Sequence, residues 1–167
     1  MVQARLFIGP DGRVKECTVK RAIGKDSVAQ ELCKSVIGVK YKPATDERSD
    51  RSYALSYSLI SAFPDGEEAL MQPLSARLTK DPLPADLTVT LETMPKALLE
   101  RPRVAVRVRV NETGRVVICQ PFDEKRGPIS KVACDQARAH SLQGLKTENG
   151  QPVGYVRRMS VEFVSDE

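Results

Sequence analysis

A chain of 167 residues with 41% hydrophobic and 29% charged residues is long enough for one domain or two small ones. It has no apolar run long enough to span a membrane and no secretory leader pattern. The net charge of +4 is spread along the chain with no dense Lys/Arg run, which argues for solvated strand faces rather than a nucleic-acid footprint.

Residues 3–8 (Gln3 to Ile8) read as a strand, closed by Gly9-Pro10-Asp11-Gly12. Arg13 to Lys20 is its hairpin partner, and Ala22 to Lys25 a crossing loop. Ser27-x-x-Gln30 has the form of a capping box. After it, Ala29, Leu32, Cys33 and Val36 recur at helical spacing, and Gly38 is a plausible stop. Tyr41 to Ala44 leaves the helix extended, and Thr45 to Asp50 is a polar turn. Tyr53, Leu55, Tyr57 and Leu59 then alternate with Ala54, Ser56 and Ser58, as a half-buried strand does.

Residues 64–101 are acidic, with 4 Lys/Arg against 7 Asp/Glu, and prolines break them into short pieces. Within them Leu87 to Leu91 reads as a strand and Met94 to Glu100 as a short helix with proline in its first turn. Val104, Val106, Val108 and Val110 then alternate with Ala105, Arg107 and Arg109, the clearest strand in the sequence. Asn111 to Gly114 turns it, and Arg115 to Cys119 returns. Ile129, Val132, Ala133, Gln136 and Ala137 mark a helix with Pro128 near its start. Tyr155, Arg157, Met159, Val161 and Phe163 form the inner face of the last strand, with Arg157 out of place among apolar neighbours.

The chain thus writes one stretch twice. Gly12-Arg13-Val14 leads to Cys17 and, through a helix, to Cys33; Gly114-Arg115-Val116 leads to Cys119 and Cys134. A repeat this long implies two like domains, and domains of about 60 to 70 residues are marginal without staples. Four cysteines allow three connectivities. The repeat favours Cys17–Cys33 and Cys119–Cys134, each joining a strand to its covering helix, with four buried reduced thiols as the alternative. Zinc is disfavoured, since there is no Cys-x-x-Cys and His140 is the only histidine. Disulfides would imply an oxidising compartment.

The fold class expected is α+β: two tandem β-β-α-β units, each a three-stranded antiparallel sheet with a helix packed on one face. The boundaries expected are residues 1–63 for the first domain, 64–86 for a connector and 87–167 for the second domain.

The order of these elements resembles the C-terminal domain of TonB-family energy transducers. The matching residues are Phe7 to Val19 with Pro10-Asp11-Gly12-Arg13-Val14, the helix at Ser27–Ile37, Tyr41-Lys42-Pro43-Ala44 and the strand from Tyr53. In the second copy they are Met94 to Leu98, Val104 to Val117, and Gly150-Gln151-Pro152-Val153 leading to Tyr155–Val164. The second copy departs in having Leu142-Gln143-Gly144 where the first has Tyr41-Lys42-Pro43, and the first lacks the short helix before its first strand.

The resemblance implies a periplasmic, non-enzymatic module that binds extended segments of outer-membrane receptors by adding a strand to a sheet edge, in energy-dependent transport. An envelope scaffold or assembly module of the same fold is the alternative. The candidate edges are Tyr155, Val156, Arg157, Arg158, Met159, Ser160 and Val161 on the last strand, and Tyr53, Ser56 and Ser58 on the first domain's last strand. Arg157 and Arg158 would favour acidic peptides. Pairing of these edges with each other or with a second copy of the chain would leave nothing to bind. Any inner-membrane anchor would lie on a segment outside this chain. No catalytic constellation, cofactor site, metal site or small-molecule substrate is expected, because His140 sits alone on an exposed helix face and the glycines form no phosphate loop.

Overall fold

The computed structural model describes residues 1–46, 48, 50–62, 75–78, 80, 83–100, 102–122 and 127–166. Most of the expected connector, and parts of the turn after Thr45, lie outside these residues. The chain is an α+β protein that divides into two compact units, Met1–Leu83 and Pro84–Glu167.

In the first unit the strands are β1 (Val2–Ile8), β2 (Val14–Ala22), β3 (Ala44–Thr45) and β4 (Arg51–Ile60), with helix α1 (Asp26–Ser35). β1 is central. It pairs antiparallel with β2 on one side and with β4 on the other, and β3 adds a short pairing at Arg51 and Ser52. Cys17 stands opposite Leu6, and Leu6 opposite Ser56. Direct antiparallel partners share a face, so the face that Cys17 joins to α1 carries Val2, Ala4, Leu6, Ile8, Ala54 and Ile60, all buried.

α1 begins one residue before the expected cap. Its N-cap is Lys25, and no side chain caps it. Ser27 therefore lies inside the first turn, where its hydroxyl cannot serve as an N-cap, and the capping box does not form. Asp26 in the first turn complements the helix dipole instead. The helix buries Ala29 and Cys33, two members of the expected apolar face.

In the second unit the strands are β5 (Leu87–Leu91), β6 (Arg103–Val110), β7 (Val116–Pro121), β8 (Leu145–Lys146), β9 (Pro152–Val153) and β10 (Tyr155–Ser165). Its helices are α2 (Lys96–Leu99) and α3 (Gly127–Ala139). β6 is flanked by β7 and β10, both antiparallel, while β5 pairs parallel with the far side of β10 from Val161 to Ser165. The second sheet is thus not the simple three-stranded one expected, since β5 joins it as a fourth strand. Val108 stands opposite both Cys119 and Arg157. The α3 face accordingly collects Val104, Val106, Val108, Val110, Tyr155, Met159, Val161 and Phe163, each no more than 2% exposed.

The duplication is visible in backbone detail. Gly12 and Gly114 both have positive φ, at 82° and 83°. Each accepts a hydrogen bond through its carbonyl from the chain leaving the helix, Tyr41 N–H at 2.8 Å and Leu142 N–H at 2.9 Å. A Cβ at either glycine would overlap the carbonyl oxygen of that same residue, Tyr41 or Leu142. The position thus demands glycine for both conformation and space. Gly114→Ala is expected to cost about 1–3 kcal/mol, and urea denaturation followed by circular dichroism would measure it. A loss below about 0.5 kcal/mol would mean that the turn relaxes freely.

Candidate functional site

The two cysteine pairs are disulfides. Cys17–Cys33 and Cys119–Cys134 close with Cα–Cα distances of 5.6 and 5.5 Å, which is ordinary geometry for the bond. Each joins a hairpin's second strand to the helix packed on its sheet. Such bonds persist in oxidising compartments, so the protein belongs to a periplasmic or extracellular setting. No helix among the described residues is long and apolar enough to cross a membrane.

The disulfides staple the outermost strands. β2 pairs with β1 alone and β7 with β6 alone, so among the described residues no strand lies on their outer edges. The start of each edge is closed by the chain returning from the helix, at Arg13↔Lys40 and Arg115↔Ser141. Val14 exchanges bonds there with Val39 O at 3.1 Å and Gly38 N–H at 2.9 Å. Beyond this point the β2 edge runs on to Ala22, with Lys15, Glu16 and Lys20 exposed. β7 is shorter and ends at Pro121, which has no N–H to offer.

The expected binding strand β10 is placed differently. Tyr155, Met159 and Val161 point into the core at 1%, 0% and 0% exposure, and the Tyr155 hydroxyl donates to Gln143 O at 2.9 Å. Val161 stands between Val104 of β6 and Leu87 of β5. No further strand can add there, which corrects its assignment as an edge residue. One position upstream the Ser160 N–H donates to Asp86 Oδ2 at 2.7 Å, and the Asp86 N–H donates to Ser160 O at 2.9 Å.

Arg157, the misfit of the sequence pattern, lies on the core face. Its Nη2 donates to Asp86 Oδ1, and the two side chains are only 9% and 20% exposed. The residue is therefore engaged in joining β5 to β10. Arg158 is exposed, Val156 and Ser160 half-buried. On β4, Ser56 and Ser58 are half-buried on the α1 face, and Tyr53 stacks on Phe7 with ring centroids 5.3 Å apart on the opposite face. Tyr57 and Leu59 share that opposite face at 41% and 47% exposure.

Among the described residues no group of three or more His, Cys, Asp or Glu side chains could hold a metal ion. His140 is exposed at the end of α3. The Asp11 carboxyl is held below its usual range by the Arg13 N–H on its Oδ1 at 3.0 Å. It is an exposed residue of the hairpin turn, so this is turn chemistry of the Asx kind.

Sequence reasoning missed Asp86 and Phe122. Asp86 precedes a short strand with no signal of its own. Phe122 follows β7 and lies under Arg158, whose guanidinium carbon is 4.3 Å from the ring centroid. No family model, no curated protein and no solved structure matches the chain.

Proposed function

We propose that the protein is a non-enzymatic, periplasmic protein-binding module of the kind the TonB-family resemblance implies. In this reading it takes up an extended segment of an outer-membrane receptor as an added strand, in energy-dependent transport. The observation that carries the reading is the outer edge of β2. Among the described residues no strand lies upon its backbone groups from Glu16 to Ala22. The edge is also fixed to α1 by Cys17–Cys33, so little ordering cost remains when a ligand strand arrives. Lys15 and Lys20 beside it are exposed. They oppose edge-to-edge pairing with a second copy of the same basic strand and suit an acidic ligand.

Backbone pairing has a specific test. Receptor-derived peptides are titrated into isotopically labelled protein, and the same peptides are then N-methylated at alternate residues. Chemical-shift changes should concentrate on Glu16 to Ala22, and methylation on the bonding side of the peptide should weaken binding about tenfold or more, with the other side tolerant. Equal binding by both methylated forms would exclude strand addition. The second reading, an envelope scaffold without energy coupling, is favoured by β5, which already fills the β10 edge from Ser160 onward. It is the outcome if receptor peptides leave β2 unchanged while envelope-assembly partners bind.

A further inference from the structure

The face of the second sheet turned away from α3 carries an arrangement that the strand-addition reading does not use. Arg107 of β6 and Arg158 of β10 are direct cross-strand partners. Ser160 turns both its backbone groups to Asp86, so Ser160 and Ala105 form a non-hydrogen-bonded pair, and so do Arg158 and Arg107 two positions along. This is the closer kind of antiparallel pair, with Cα atoms about 4.5 Å apart. Two like charges placed directly opposite destabilise a sheet. Both side chains are exposed, and among the described residues neither guanidinium has a carboxylate partner. Glu162 on the same face is already held by Arg103, at 2.9 and 3.3 Å. Across β6 the next partner of Arg107 is the neutral Gln120. The Phe122 ring, 51% exposed, lies against Arg158, which positions one guanidinium by a cation–π contact and leaves apolar surface beside it.

The geometry points to this pair as a docking site for an acidic, extended peptide segment of a partner protein. One carboxylate is shared between the forks of Arg107 and Arg158, which removes their mutual repulsion. An apolar side chain two residues along, about 7 Å away on the same face of an extended peptide, rests on Phe122. The charge complementarity is local and small, which favours a peptide over nucleic acid. Two unpaired arginines neutralise only about two phosphates, far fewer than the 6–10 contacts typical of a nucleic-acid site. The proposal is independent of strand addition, because it acts through side chains on a different unit.

The test is a fluorescence-anisotropy titration of the full chain. The probe is a labelled peptide of about ten residues that alternates glutamate and serine around a central leucine. Arg107→Gln and Arg158→Gln should each weaken binding about tenfold or more, and the glutamine version of the peptide should bind no better than either variant. Arg107→Gln should also melt at the same temperature as the parent or a few degrees higher, because repulsion is relieved. Equal affinity of the two peptides, or of parent and variants, would overturn the proposal. So would tighter binding of a single-stranded oligonucleotide of equal length. A melting temperature for Arg107→Gln lower by more than about 4 °C would also overturn it, by making the arginine structural. N-methylation on either side of the peptide, which weakens strand addition when it falls on the bonding side, should leave this docking intact.

Discussion

Replacing Cys17 and Cys33 together by alanine should lower the unfolding free energy of the first unit by about 3 kcal/mol. The same change at Cys119 and Cys134 should lower that of the second by a similar amount. The bridged residues are 16 and 15 positions apart, and closing loops of this size removes about that much chain entropy from the unfolded state. The loss matters because units of this length are stable by only about 4–12 kcal/mol. Alanine is preferable to serine, since Cys33 and Cys134 are each 4% exposed and a hydroxyl there would add a burial cost of its own. The chain has no tryptophan, so the transitions are best followed by circular dichroism in urea. The proposed binding edge should respond as well. Without its bridge β2 is held to α1 by packing alone, and amide exchange from Glu16 to Ala22 should accelerate. A loss below about 1 kcal/mol per bridge, with exchange unchanged, would mean that helix docking does not depend on the staples.

The cysteine pairing was legible because the chain states it twice at almost the same spacing, and β6 because valine repeats at every second residue. What was not legible depends on register or on distant partners. Arg157 looked anomalous because its counter-ion is 71 residues upstream, on a residue with no motif around it. β5 could be read as a strand, but its parallel pairing to β10 leaves no trace in either sequence. Alternation on β4 separates two faces without saying which one the helix covers; the answer comes from the alignment of Ser56 with Leu6 and of Leu6 with Cys17. The Arg107–Arg158 juxtaposition is likewise a fact of register. Ser27 misled for a local reason. Its capping box is sound chemistry, but the helix starts at Asp26 with Lys25 at the cap, two residues too early for the serine to stand there.

Asp86→Ala should destabilise the second unit by about 3–5 kcal/mol. It leaves the Arg157 guanidinium, 9% exposed, without its counter-ion, and removes the acceptor of the Ser160 N–H at 2.7 Å. Losing one partner of a buried pair is costly because the surviving charge keeps its desolvation penalty with nothing to offset it. At 4–8 °C per kcal/mol for domains of this size, the melting temperature should fall by more than about 12 °C. The defect should begin locally, with amides of Leu87 to Leu91 losing protection, since Asp86, just before β5, holds its start to β10. Combining Asp86→Ala with Arg157→Met separates the charge from the packing. If the penalty comes from the orphaned guanidinium, the double variant should recover most of the loss, because an apolar side chain suits the face shared with Tyr155 and Met159. A double variant as unstable as Asp86→Ala alone would instead assign the loss to the Ser160 N–H and the docking of β5. The β10 edge would then be closed by a backbone clamp, with Arg157 a bystander.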